Sequence, residues 1–520
     1  MKSIWTIALM SIILLITVFS CSKEEDPANE IPISNVTLDQ DVMTLEVGEI
    51  KTLTAIIAHN VANKEITWSS SNPAVATVNN GTVTAVAAGT VTITVTLNES
   101  GHTAICTVSV IPAGSKVTMT TAKSGDVVIY IAGSGSLTID WNDGSEIETY
   151  SLKSESDNWE YSSEYRYIHS YSGSSSRTIT IVGENITHLA CSENQLTSLN
   201  VSKNNALTWL NCSWNQLTTL DLSENIALKS LYCYFNKLDL DVSKNSALTL
   251  LRCWNNQLTS LDVSQNVALI ELSCSNNLLT NLDVSKNTEL TWFSCRNNQL
   301  ISLDVSKNIA LTSLDCDDNQ LTSLDLSKNI ALAFLYCNDN QLTSLDVSKN
   351  IELKYLDCYN NQLKSLDVSK NIALTWFNCS DNQLTNLDVS KNIELTNLGC
   401  GDNQLTSLDL SKNIALAFLY CNYNQLTSLD VSKNIALTSF SCDSNQLTSL
   451  NVLQNSALTI LYCRWNKLDT AALNALFETL HSNWDYSPLI SVGGNPGTNG
   501  CSPNIAMDKG WDVVDLWWDD

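Results

Sequence analysis

Cysteine is the residue this sequence spaces most regularly, recurring fourteen times at 191, 212, 233, 253, 274, 295, 316, 337, 358, 379, 400, 421, 442 and 463. Thiols at fixed spacing can bind a metal, form disulfides or carry redox chemistry. A metal site needs paired CxxC ligands or accompanying histidines, and the ladder has neither. The five histidines, His59, His102, His169, His188 and His481, are scattered without a helical pair. Parallel neighbouring side chains have poor geometry for a disulfide even one strand apart. The ladder therefore reads as a column of small buried apolar plugs, with no metal and no cofactor expected.

Aspartate is the second regular residue. Asp221, Asp241, Asp262, Asp283, Asp304, Asp325, Asp346, Asp367, Asp388, Asp409 and Asp430 mark successive units, and in nine of them a lysine follows three residues later. Carboxylates about 4.8 Å apart repel by roughly 1 kcal/mol in water, and a lysine row such as Lys286, Lys307 and Lys328 can offset that. A second acidic zone, Asp315, Asp317, Asp318, Asp339, Asp357, Asp381 and Asp402, lies beside the cysteines. It suits a solvated face, with attraction of a basic protein or a calcium ion as the sharper readings. Carboxylates on a flat repeat face lack the cleft that glycoside hydrolysis needs. GxSxG, P-loop and HExxH motifs are absent from the sequence, so an enzyme is not expected.

Large side chains flank the cysteines, and there the units differ from one another. Trp209, Trp214, Tyr232, Arg252, Trp254, Trp292, Phe334, Tyr336, Tyr355, Trp376, Phe418, Tyr420, Tyr462 and Trp465 collect on this variable strip. Residues alternating with inward Leu and Cys on a strand must face solvent, so the strip is the candidate ligand-binding surface. The plainer reading is cross-strand packing of stacked rings, and the two are compatible.

The elements that must position these residues follow from the repeat. A unit such as Leu311-Thr312-Ser313-Leu314-Asp315-Cys316-Asp317-Asp318-Asn319-Gln320-Leu321, continued by Thr322-Ser323-Leu324-Asp325-Leu326-Ser327-Lys328-Asn329, cannot bury its own leucines. Turns must stack on a shared core of Leu, Cys and Val or Leu. The Asn three residues after each cysteine, from Asn194 to Asn466, reads as an internal hydrogen-bond ladder for a bent backbone. One step, Cys233 to Cys253, is a residue short, which predicts a tightened turn near Lys237–Asp241. The pattern LxxLxCxxNxLxxLDLxxNxx resembles a bacterial leucine-rich-repeat class with 21-residue units, which implies a β-solenoid.

Before the array, residues 33–112 alternate apolar and polar residues, as in Thr90-Val91-Thr92-Ile93-Thr94-Val95, the mark of a β-sandwich. Ile66-Thr67-Trp68-Ser69-Ser70-Ser71-Asn72-Pro73 and Gly81-Thr82-Val83-Thr84-Ala85 resemble the group 2 bacterial immunoglobulin-like domain, which implies a spacer with Trp68 as a core plug. Residues 113–185 carry Asp140-Trp141-Asn142-Asp143-Gly144 and Tyr167-Ile168-His169-Ser170-Tyr171, similar to the PKD domain, another β-sandwich. Residues 186–466 hold the fourteen repeat units, and residues 467–520 form a cap with a helix at Thr470–Leu480 and Gly493-Gly494-Asn495-Pro496-Gly497. The expected fold is mostly β: a leucine-rich-repeat solenoid preceded by two small β-sandwiches and closed by a small α/β cap.

Lys2, an apolar run to Phe19, and Ser20 before Cys21 read as a signal peptide over residues 1–20. Val18-Phe19-Ser20-Cys21 resembles the lipobox of bacterial lipoproteins, which implies cleavage and a lipid on Cys21. The tether 21–32 opens with Ser22-Lys23-Glu24-Glu25-Asp26, similar to the acidic tag that directs lipoproteins to the outer face of the outer membrane. With 54 acidic against 28 basic residues and a formal charge of −26, nucleic acid is an unfavourable partner. The expectation is a monomeric, lipid-anchored outer-membrane protein that binds a protein or polysaccharide at the cell surface. Glycan capture and a stalk without its own ligand stand as alternatives.

Overall fold

A computed structural model of the chain describes residues 35–58, 65–111, 116–156, 159–482 and 488–515. The leader, Cys21 with its tether, His59 and Trp517-Trp518 lie outside the described residues. Among the described residues no helix is long and apolar enough to cross a membrane. The chain divides into two units, Met1–Val110 and Ile111–Asp520.

In the first unit the alternating residues make a four-stranded sheet in the order Val42–Glu46, Thr103–Ile111, Gly89–Leu97 and Ile66–Ser70. A three-stranded sheet orders Ile50–Thr52, Thr82–Ala85 and Ala76–Asn79. Their inward residues, among them Leu45, Val83, Ile93, Val95 and Cys106, form one core. Trp68 is half-buried against that core. The hairpin between Ala76–Asn79 and Thr82–Ala85 turns through Asn80 (φ 49°) and Gly81 (φ 81°), the Asn-Gly pair that a tight hairpin requires. A Cβ on Gly81 would come within 2.5 Å of the Leu53 carbonyl oxygen, so glycine is also the residue that fits.

The second unit begins with antiparallel strands and changes to a parallel ladder. Arg177–Ala190 makes the change within a single strand. Its first half pairs antiparallel with Lys116–Thr121 and its end, His188–Ala190, pairs parallel with Trp209–Asn211 as the first rung. Gly125–Asp140 pairs with both Arg166–Tyr171 and Arg177–Ala190. Trp141 plugs this end: it is fully buried, its Nε1 donates to Glu148 Oε2 at 3.0 Å, and its carbonyl accepts from the Tyr171 hydroxyl at 2.7 Å. The boundary drawn at residues 185 and 186 falls inside a continuous strand. Val117, Ile129 and Ile181 share one hydrophobic core with the repeat leucines, so this stretch closes the solenoid's first end.

From Trp209 onward, three-residue strands stack in parallel and in register: Phe334 beside Tyr355, Leu335 beside Leu356, Tyr336 beside Asp357. Within each turn the strand leucine or phenylalanine, the cysteine and the leucines of the second half are buried; Leu314, Cys316, Leu321, Leu324 and Leu326 are one set. The short step is absorbed where expected, since Leu238 and Leu240 stay buried although one residue fewer separates them than separates Leu217 from Leu220.

The Asn ladder takes the predicted role. Asn319 Nδ2 donates to the carbonyls of Cys295, Cys316 and Asp317 at 2.9–3.1 Å, and its Oδ1 accepts from the Leu300 amide at 3.0 Å. A second buried Asn ladder, not singled out from the sequence, runs through the Ser-Lys-Asn turns. Asn329 Nδ2 bonds the carbonyls of Val305 and Asn308 at 3.0 and 2.9 Å.

At the far end, helix Thr470–Thr479 is capped by Asp469 accepting from the Ala472 amide, and it buries Leu473, Leu476 and Phe477. Leu489–Ser491 and Asp512–Val514 then add two more parallel rungs. Asn495 continues the first Asn ladder by accepting from the Asn466 amide and donating to the Cys463 carbonyl. The architecture is mostly β, a solenoid closed at both ends.

Candidate binding surface

The cysteines lie where packing puts them. All fourteen ladder thiols are buried and unpaired. Burial pushes them well above the ordinary thiol range, as at Cys316 and Cys337, so they stay protonated. Several donate a weak hydrogen bond to the next rung, for example Cys316 Sγ to the Tyr336 carbonyl at 3.4 Å. No group of three or more His, Cys, Asp or Glu among the described residues is arranged to hold a metal ion.

The aspartate ladder has a more local cause than lysine pairing. Asp304 Oδ1 accepts from the Ser306 amide at 2.9 Å, Asp325 does the same with Ser327, and Asp346 with Ser348. These bonds to Ser306 hold the Asp304 carboxyl below its usual range, and Lys307 is a lesser contributor. Each aspartate therefore closes a turn.

Of the fourteen strip residues, none is buried. Trp214, Phe334, Phe418, Tyr420 and Trp465 are exposed and the rest half-buried. They occupy several columns rather than a single row. Trp209, Trp292, Phe334, Tyr355, Trp376 and Phe418 stand three residues before the cysteine, and Tyr232, Arg252, Tyr336, Tyr420 and Tyr462 one before. Trp254 stands one residue after it, and Trp214 and Trp465 two after.

The rings form two stacked groups. Near the start, Trp214 stacks on Phe235 with centroids 3.7 Å apart, and Trp254 meets both Phe235 and Tyr234 at 4.6 Å. In the middle, Tyr355 lies 4.6 Å from Tyr336 and 4.0 Å from Trp376, the latter pair with planes 4° apart. Three tryptophans of the strip stand outside both groups. Trp209 packs edge-on against Trp159 at 4.9 Å, which ties it to the closing end. Trp465 lies against Gly494 of the cap, and Arg464 sits over its ring at 5.0 Å. Trp292 has Glu271 and Ser313 as its register neighbours, so no ring flanks it there. Arg252 is committed within the strip, its Nη2 2.6 Å from Glu271 Oε1.

Tyr234, Phe235, Tyr359 and Tyr423 belong to the same surface and were missed, although their cysteine register was readable. The position two after the cysteine is left-handed in all fourteen turns, and the chain often places there Asn or Asp, such as Asn297, Asp318, Asp339 and Asn360, types that tolerate positive φ. Trp214 (φ 53°), Phe235 (φ 52°), Tyr423 (φ 51°) and Trp465 (φ 47°) adopt it too. A bulky ring there costs about 1–2 kcal/mol, so these aromatics sit where folding alone would select Asn or Asp. The sequence reading also passed over a second apolar row: Ile309, Ile330, Ile351 and Ile372 in the Asn-Ile turns are all more than half exposed.

The middle of the strip is acidic. Burial, reinforced by Asp315, pushes the Asp317 carboxyl up to about 8, and burial pushes Asp357 up to about 6. Asp317 Oδ1 accepts from the Asn338 amide at 3.0 Å, and Asp315 accepts from the Ser294 hydroxyl at 2.8 Å. Arg296 reaches only Asp318 in this zone, at 3.5 Å.

Comparison with known proteins agrees with this geometry. The model for the bacterial Ig-like domain (group 2) matches residues 32–108. An Ig-like virion protein of Serratia phage KSP90 is 41% identical over 83 residues, a stretch that spans 15% of this chain and 32% of the phage protein. The functional domain of InlJ from Listeria monocytogenes, a structure described as including a cysteine ladder, is similar over 64% of this chain and 74% of its own, at 37% identity and TM-score 0.58. A leucine-rich-repeat protein of Leptospira interrogans shares the fold over 62% of this chain and 94% of its own, at 22% identity and TM-score 0.53. With its 21-residue parallel rungs, buried cysteine column and Asn ladders, this chain belongs to the leucine-rich-repeat proteins and carries a group 2 bacterial Ig-like domain ahead of the solenoid.

Proposed function

We propose that this chain is a surface-anchored binding or adhesion protein that holds a macromolecular ligand along the aromatic strip of its solenoid. One observation carries the reading. A nearly constant buried frame presents varied rings that face water, four of them held in a backbone conformation unfavourable to rings. Large rings with few rotors give contact area at low entropic cost, which is how a rigid face recognises a partner. The buried, protonated thiols supply no nucleophile, and we read the chain as a binder rather than an enzyme.

The anchor is the second part of the proposal. Cys21, in its lipobox-like setting, would carry the lipid that holds the protein on the outer membrane facing outward, leaving the solenoid free to meet a protein or polysaccharide as a monomer. The test uses the full chain expressed on cells, with capture scored against extracellular-matrix proteins and a glycan array. Cys21→Ala should move the protein from the membrane fraction to the soluble fraction. Changing Trp292, Tyr336 and Trp376 together to Ala should weaken capture at least tenfold, roughly the loss of one interface hot spot. Membrane retention of Cys21→Ala refutes the anchor, and undiminished capture by the triple variant refutes the strip.

A further inference from the structure

The aromatic columns are broken at one rung, and the break has a shape. In strand Asn397–Gly399, Asn397 lies in register between Trp376 and Phe418, and Gly399 between Asn378 and Tyr420. Gly401 follows two residues later, so two positions that carry rings or other side chains elsewhere are empty of them here. The result is a notch of about 490 Å³ in the middle of the strip. Its sides are Trp376, Tyr359 and Tyr420, and its polar lining comes from Asn378, Asn397, Asn422, Ser380, Asp381 and Asp402. One face of Trp376 is stacked on Tyr355, which fixes the ring and leaves its other face toward the short Asn397.

The dimensions select the guest. Trp376 and Tyr420 both line the notch and stand on rungs two apart, roughly 10 Å along the stack, with Gly399 on the rung between. Two van der Waals contacts of about 3.5–4.0 Å leave room between them for one ring-thick group. The lining selects its chemistry. Three amides and a hydroxyl supply both donors and acceptors, as adjacent hydroxyl groups require, whereas a guanidinium or ammonium would use the acceptors alone. Asp381 and Asp402 repel a carboxylated or sulfated sugar. We infer that the notch at Gly399 and Gly401 is a saccharide subsite that takes one ring of a neutral glycan between Trp376 and Tyr420. This deepens the strip reading of the preceding subsection and rests on it.

The subsite can be closed without disturbing the fold. Gly399 needs no positive φ, a Cβ there meets first the flexible Asn378 side chain at 2.5 Å from Oδ1, and Tyr336, Tyr420 and Tyr462 occupy the equivalent position in other rungs. Gly399→Tyr therefore fills the gap as neighbouring units do. The experiment titrates the full chain with neutral hexasaccharides, namely β-1,4-linked glucose, xylose and N-acetylglucosamine and α-1,4-linked glucose. Oligogalacturonate and an Arg/Lys-rich peptide complete the panel.

The expected result is binding of at least one neutral chain, weakened at least about tenfold by Gly399→Tyr and by Trp376→Ala and unchanged by Lys328→Ala in an exposed turn outside the strip, with unaltered thermal unfolding of Gly399→Tyr. Failure of every neutral chain at millimolar concentration overturns the proposal. So does neutral-chain binding that Gly399→Tyr leaves intact, or binding by the peptide instead that Gly399→Tyr blocks. Loss of macromolecular capture in a Trp292→Ala, Tyr336→Ala double variant while Gly399→Tyr retains all binding overturns the subsite and spares the strip. The opposite pattern overturns the strip and spares the subsite.

Discussion

Asp317 shows how a single residue can report on the face around it. Its carboxyl is almost fully buried beside Asp315 and holds its proton up to about pH 8, whereas an unfolded aspartate releases it near pH 4. Between those values the folded state binds the extra proton, so Asp317 stabilises the fold at low pH and that contribution drains away as pH rises toward 8. Asp317→Asn keeps an oxygen for the Asn338 amide and removes the charge. The variant should be more stable than the parent by roughly 1–3 kcal/mol at pH 8 and no more stable at pH 4, measured by denaturant unfolding at both values. Equal stability at pH 8 would show that the carboxylate is solvated and relieved there. The acidic zone was legible in the sequence, but which of its members is buried was not, because that depends on how the Asp315 and Asn338 rungs stack. The aspartate ladder failed as a charge argument for a related reason: a serine amide two residues on is nearer than any lysine.

The repeating rung explains why so much of the array could be read in advance. A 21-residue period with Leu, Cys and Asn at fixed places leaves one way to bury the leucines, and stacked parallel turns follow. The Asn after each cysteine was recognisable because a bent backbone must satisfy its amides and carbonyls. The Asn of Ser-Lys-Asn was not, since among Ser and Lys it looks like an exposed turn residue. The first end was divided in two for want of one fact, that Arg177–Ala190 serves an antiparallel sheet with its first half and the parallel ladder with its last residues. Alternation marks a strand but does not reveal a change of partner along it. The Asn ladder carries its own prediction. Asn319→Ala would strand three carbonyls and one amide in the core and should cost about 2–4 kcal/mol in denaturant unfolding, far more than an exposed substitution in the same unit. A loss below about 0.5 kcal/mol would mean that the bend satisfies itself without the side chain.

For the molecule as a whole, the proposed function depends on a division of labour within each rung, with the cysteine and the central leucine or phenylalanine of the strand inside and the varied rings on either side of them outside. That the strip exists was readable from comparing units; its breadth of several columns and the break at Gly399 were not, because both come from register between turns. Hydroxyl-radical footprinting of the full chain, read residue by residue in a mass spectrometer, tests this division most directly. The account predicts ready oxidation of Trp214, Phe418, Tyr420 and Trp465, with Phe293, Phe377, Phe440 and the ladder cysteines protected until denaturant is added, although thiols are among the groups most prone to oxidation. Oxidation of Phe377 and the ladder cysteines in the native protein, or protection of the strip rings, would contradict it.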